Sequence, residues 1–233
     1  MPVSGSHSLI GGLLGAGLAW KGTAAIKLAG ITKVLLALLL SPIFGIILGY
    51  LMMLGILWLC RRWSAHLVQR FFGRAQILSV SWMAFEHGHN DAQKAMGVIT
   101  LALLAAGWQS DVNIQWWVIL LCGFMMALGT AVGGWKVIKT VGGGLLKLRP
   151  VQGFAAETSA SIVLLGAASQ GLPVSTTHTI TSAIMGVGST RRLSAVRWGV
   201  GAKILWAWIF TFPATIGLAY GTFLLLSLFF SAT

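Results

Sequence analysis

The sequence predicts an all-α integral membrane protein: a polytopic helical bundle with inverted repeats, broken helices and a helical hairpin. Three observations lead there. The 233 residues are 57% hydrophobic and only 9% charged, whereas a soluble domain carries about 25% charged residues to face water. The apolar runs approach or exceed the ~20 residues that cross a bilayer, and they do not alternate with period two, which favours helices over a barrel. Finally, residues 1–17, MPVSGSHSLIGGLLGAG, align at a shift of 171 with residues 172–188, LPVSTTHTITSAIMGVG.

Residues 8–20 are short, apolar and glycine-rich, and Lys21, Lys27 and Lys33 follow. Residues 34–59 are long enough to span, with a kink expected at Pro42, where Gly45 and Gly49 lie nearby. A basic loop with Arg61, Arg62, Arg70 and Arg74 comes next. Residues 75–108 are apolar except at their centre, and Asp111 sits in a short loop without Lys or Arg. Residues 116–132 span again and lead to Lys136, Lys139, Lys147 and Arg149. Residues 153–170 and 172–188 are two shorter pieces parted by Gly171 and Pro173, as in a hairpin. Arg191, Arg192, Arg197 and Lys203 precede a last span, 204–230, expected to break at Pro213.

The Arg-bearing loops are assigned to the cytoplasm, because Lys and Arg concentrate in cytoplasmic loops. Residues 75–108 then cross once, the Asp111 loop lies outside and 116–135 returns. The same assignment puts Lys21, Lys27 and Lys33 outside, against the rule. The formal net charge of +12, from 16 Lys and Arg against 4 Asp and Glu, reads as topology signals and contacts to anionic lipid head groups. No nucleic-acid motif accompanies it, so nucleic acid is not an expected partner. Cys60 and Cys122 lie at or inside apolar runs and suit buried thiols. No cleavable signal peptide is evident.

In the repeat, Pro2, Val3, Ser4, His7, Gly15 and Gly17 match Pro173, Val174, Ser175, His178, Gly186 and Gly188, and Pro42 matches Pro213. An odd number of crossings separates the copies, so the second lies upside down relative to the first. Inverted repeats built from broken helices mark secondary transporters, with shared sites near the midplane. The expected division is 1–60, the tail of an incomplete first repeat, and 61–233, the second repeat.

The centre of 75–108 reads FEHGHNDAQKAMG, residues 85–97. Ionisable groups at bilayer depth cost about 2.5–3.5 kcal/mol each on insertion scales, so they are functional candidates. Gly88 and Gly97 permit an unwound turn, and Asn and Asp are poor helix formers. A discontinuous helix is therefore expected, one half through Phe85 and the other from about Ala92. Its free amides would attract an anion and its carbonyls, with the Asp91 carboxylate, a cation. In PVSTTH, residues 173–178, Pro173 suits a first helical position and Ser175, Thr176 and Thr177 crowd the first turn, a setting for an oxyanion. Ordinary capping accounts for that stretch alone; the second copy, with Ser4, Ser6 and His7, adds weight to a site. Glu157, in an apolar arm, suits a coupling carboxylate, and Gln152 close by could donate to an oxyanion. His87, His89, Asp91 and His178 offer a weak alternative as metal ligands, since residues one apart share a face only on a strand. Neither paired carboxylates nor an HExxH-like helix is present, so hydrolytic chemistry is not expected.

Three stretches together, HGHNDAQK (87–94), VQGFAAE (151–157) and PVSTTH (173–178), resemble the inorganic phosphate transporter (PiT) family. The resemblance implies a non-enzymatic secondary transporter of inorganic phosphate, coupled to H+ or Na+ and with no other cofactor. It implies multi-pass residence in the cytoplasmic (inner) membrane of a bacterium, in contact with the lipid bilayer, with a homo-oligomer left open. Asn90, Ser175, Thr176, Thr177, Gln152, Lys94, Ser4 and Ser6 would serve phosphate, and Asp91 and Glu157 the coupling cation. His87, His89, His178 and His7 complete the motifs. His89 replaces the family's usual Ala and Lys94 its final Asn; Lys94 could stand in for a bound cation or pair with phosphate, which would favour proton over sodium coupling. The family's first Asn-Asp copy is not in this sequence, so an N-terminally truncated member is expected, roughly two thirds of the repeat-based whole. Carriage of a related oxyanion such as sulfate, or a non-transporting membrane component that binds metal or a partner, remain open readings.

Overall fold

The computed structural model describes residues 3–139, 145–146 and 148–229. Among the described residues seven α-helices run α1 (Gly5–Lys21), α2 (Leu28–Leu59), α3 (Ala65–Ala105), α4 (Trp116–Ile138), α5 (Pro150–Ser169), α6 (Thr176–Ser189) and α7 (Trp198–Phe229). No strand occurs among the described residues. Four of the helices, α2, α4, α5 and α7, are long and apolar enough to cross a membrane. Their outward faces carry Leu39, Trp58, Phe124, Phe210 and Leu228, all exposed. Apolar cover of that extent suits hydrocarbon, not water. The chain is a multi-pass helical membrane protein.

Arg191 lines one small cavity with Leu57, Ala65, Gln69 and Arg149. The C-terminal ends of α2 and α6 therefore share one end of the bundle with the N-terminal ends of α3 and α5. The Arg-rich connections gather there. The α1–α2 junction, with Lys21 and Lys27, lies at the opposite end, because α2 runs the full height of the bundle: 32 residues, about 48 Å.

Small residues set the closest helix pairs. A methyl group added at Gly45 would lie 2.8 Å from the Thr179 carbonyl oxygen, and at Gly49 or Gly186 it would collide with the backbone of Ala183 or Ile46. The α2–α6 contact is thus backbone on backbone. Gly11 and Gly15 play the same part for α1 against Thr215 and Ile216 of α7. Glycine and alanine faces supply such contact in membranes, where apolar burial between helices provides little drive. The two pairs exchange partners: α1, from the first repeat copy, packs on α7, and α6, from the second, packs on α2. Ala155, Ala156 and Ala160 of α5 fill the core with Met53, Ile184, Val187 and Ile204.

Two expectations are corrected. The helix through the polar motif is not broken: α3 is one run of 41 residues. Its polar side chains have tertiary or same-helix partners and do not compete for the backbone as caps. Asn90 Nδ2 donates to the Glu86 carbonyl one turn back, and neither Gly88 nor Gly97 adopts a positive φ. The helix α7 is not broken at Pro213 but continues through it, as α2 does through Pro42; membrane helices tolerate proline because neighbouring groups satisfy the freed backbone. The helical run is interrupted instead between α5 and α6, at residues 170–175. Pro2, part of the matched repeat, lies outside the described residues, as does Lys147.

Candidate functional site

The site is built where two short helices begin. Ser4 caps α1, its Oγ accepting from the His7 amide, and Ser175 caps α6, its Oγ accepting from the His178 amide. A capping serine lies in extended conformation and takes one of the four amides that a helix start leaves without intrahelical partners. Both serines are fully buried, and Ser4 Oγ donates to Ser175 Oγ at 2.9 Å. The helices start at the same point and leave toward opposite ends of the bundle. Their positive dipole ends face each other, each equivalent to roughly half a charge. The matched imidazoles His7 and His178 follow the caps with ring centroids 4.5 Å apart, and His178 stacks on Trp208 of α7 at 3.6 Å.

The motif of α3 meets this junction from the side. Lys94 Nζ donates to Asp91 Oδ1 at 2.8 Å, to Ser6 Oγ at 2.6 Å and to the Val174 carbonyl at 2.9 Å. Ser6 Oγ in turn donates to the same Val174 carbonyl at 2.9 Å. Thr176 Oγ1 donates to Asp91 Oδ2 at 3.3 Å, and His87 Nε2 lies 3.3 Å from that oxygen. Residues from α1, α3 and the start of α6 thus form one connected polar network, which joins the two repeat copies. Chemically it offers opposed amide-rich helix ends and hydroxyls for an anion, and a carboxylate for a cation.

The structure brings Ser4, Ser6, Asp91, Lys94, Ser175 and Thr176 together, with His7, His87 and His178 at the margin. Thr177 is half-buried at the next position of α6. Asn90 is 5% exposed and faces the interior, its amide nitrogen committed to Glu86. His89 points away: it is exposed, 2.8 Å from Gln93 and stacked on Phe85. Gln152 lies apart as well, its Oε1 accepting from the Arg149 amide at the start of α5. Among the described residues no three His, Cys, Asp or Glu side chains converge as metal ligands would.

Glu157 forms a second cluster, accepting from Ser79 Oγ at 2.6 Å and Gln76 Nε2 at 3.2 Å. Glu86 is 2% exposed and accepts from Trp82 Nε1 at 3.3 Å, while its other oxygen has no partner. The sequence reading missed Gln76, Ser79 and Glu86 as site neighbours. Their signal was spacing: Gln76, Ser79, Glu86, Asn90 and Lys94 recur at helical intervals and mark one polar stripe along α3. Of the chain's four acidic residues, only Asp111 is outside this interior.

A sequence profile of the phosphate transporter family matches residues 1–69 and 60–219. The chain belongs to that family. Among similar members, a probable low-affinity inorganic phosphate transporter of Rhizobium meliloti (strain 1021) is 46% identical over 215 residues, 92% of this chain and 64% of that protein. A probable low-affinity inorganic phosphate transporter of Bacillus subtilis (strain 168) is 40% identical over 231 residues, 99% of this chain and 69% of that protein. The chain therefore spans about two thirds of these relatives. A solved structure described as the sodium-dependent phosphate transporter superposes with a TM-score of 0.88 at 24% identity, covering 98% of this chain and 74% of its own. It supports the family fold.

Proposed function

We propose that the protein carries inorganic phosphate across the cytoplasmic membrane in symport with a cation, without enzymatic chemistry. Family membership and the relatives' names support phosphate as the cargo. The carrying observation is the meeting of α1 and α6 at Ser4 and Ser175. Two helix starts approaching from opposite sides make a site that either side of the membrane can reach as the repeats rock. Ser4, Ser6, Ser175, Thr176, Thr177 and Asn90 form the oxyanion side, where amides and hydroxyls hold negative charge without a dedicated counter-ion. Asp91 and Glu157 are the coupling carboxylates. Residues 1–60 and 61–233 belong to opposite repeats, a division supported by the exchanged pairing of α1 with α7 and α6 with α2.

The test is uptake of radiolabelled phosphate by liposomes containing the protein, with unlabelled phosphate and sulfate as competitors. Phosphate competes and sulfate does not if the reading is right. Equal competition makes the protein a general oxyanion carrier, and absence of saturable uptake and of phosphate binding rejects the reading.

A further inference from the structure

The geometry points to a tethered cation: the ammonium of Lys94 is the resident ion of the Asp91 site, and it occupies the place where a free sodium ion would otherwise sit. This rests on Asp91 belonging to the transport site. An ammonium carries three N–H donors and no acceptor. In Lys94 all three meet protein oxygens: the Asp91 carboxylate, the Ser6 hydroxyl and the Val174 carbonyl, at 2.6–2.9 Å. No N–H remains for an oxyanion. Lys94 is therefore not a phosphate ligand in this conformation, and of the two roles its chemistry allows, the cation's place is the one it fills.

The cage itself is one a hard cation would accept. Carboxylate, hydroxyl and carbonyl oxygens are the ligands that small, weakly polarisable cations take. Here they come from three separate elements, α3, α1 and the segment before α6, as in a site assembled by tertiary structure. The Lys94 side chain is only 13% exposed, so its charge is largely withdrawn from solvent and needs the Asp91 partner. Thr176 Oγ1 stands on the other carboxylate oxygen and could turn a lone pair toward an ion there. If the ammonium were removed, the Asp91 carboxylate, the Ser6 hydroxyl and the Val174 carbonyl would be left around a gap without the ammonium's charge. Sodium from solution is the species of matching charge and ligand preference.

The experiment measures sodium binding, separately from phosphate. Purified protein is melted in sodium chloride and in choline chloride of equal ionic strength, without phosphate, as wild type and as Lys94→Ala. Wild type should melt at the same temperature in both salts. Lys94→Ala should be stabilised by sodium in a saturable way, by about 3–6 °C at sodium roughly tenfold above its dissociation constant. A folded Lys94→Ala that ignores sodium overturns the proposal. Wild-type binding of radiolabelled sodium that saturates and is removed by Asp91→Asn also overturns it, whatever the variant does. If Lys94→Ala does not fold, Lys94→Asn, whose amide can still donate to Asp91, takes its place with the same two outcomes. Binding of radiolabelled phosphate to wild type is read in parallel in both salts. Its absence from both would reject phosphate as cargo and leave the sodium result standing.

Discussion

Ser4 Oγ and Ser175 Oγ are hydrogen-bonded at 2.9 Å although 171 residues apart, and 171 is also the shift that aligns the two repeat copies. Equivalent residues of an inverted repeat can touch only near the axis that relates the copies. The contact marks that axis, and the network of Lys94 and Asp91 lies beside it. Each serine also caps its own helix, so one pair of hydroxyls fixes two helix starts and their mutual position.

Two losses are expected from Ser4→Ala or Ser175→Ala. Removing a cap costs about 1 kcal/mol, and stranding the buried partner hydroxyl adds about 1 kcal/mol or more. The double variant strands no partner. Its loss should fall short of the sum of the single losses by about 0.5–1.5 kcal/mol in a thermodynamic cycle followed by detergent-solubilised unfolding. Strict additivity would mean that the two hydroxyls do not interact.

Gly88→Ala tests whether α3 is continuous. An added methyl at Gly88 meets nothing within 4 Å, and the residue has no positive φ. In an unbroken helix the substitution should raise stability by about 0.5–1 kcal/mol. In an unwound turn it should lower stability. The melting temperature decides between the two by its sign.

Much of this architecture is legible in the residue pattern, and the misses share a cause. Hydropathy length identifies α2, α4 and α7, and Gly171 with Pro173 identifies the α5–α6 hairpin; Gly171 does take a positive φ, 63°. The repeat pairs Ser4 with Ser175 and points to a shared site, while their direct hydrogen bond follows only from the fold. The continuity of α3 was not legible, because Asn90, Asp91 and Gly88 have poor intrinsic helix propensity, and propensity alone does not show that Asn90 and Asp91 find partners one turn away on α3 and, for Asp91, on α6. The same limitation applies to Glu157, whose donors Gln76 and Ser79 lie about eighty residues earlier on α3. The placement of Gln152 depends on a local cap that follows an arginine, where no hydroxyl advertised it.

Gln152→Ala should act on stability alone. Its Oε1 accepts from the Arg149 amide at 3.0 Å and satisfies a donor at the start of α5. Its loss should cost about 1 kcal/mol and leave the KM for phosphate uptake unchanged. A selective rise in KM at unaltered melting temperature would instead place Gln152 on the phosphate path.

Asp91→Asn should abolish uptake while the protein still inserts into the membrane. The amide has the shape of the carboxylate and leaves α3 intact, but it carries no charge and cannot hold a cation by charge. Lys94 then loses its ion-pair partner at 2.8 Å. Because the pair is partly exposed, the expected loss of stability is about 1–3 kcal/mol, less than for a fully buried pair. Adding Lys94→Met removes the stranded charge and should recover most of that stability, since an apolar side chain of similar length fills the space. It should not recover uptake, because a refilled space supplies neither the carboxylate nor the cation. Membrane yield, melting temperature and phosphate uptake of the single and double variants separate the structural contribution of the pair from its transport role. Uptake that survives Asp91→Asn would remove Asp91 from the coupling site.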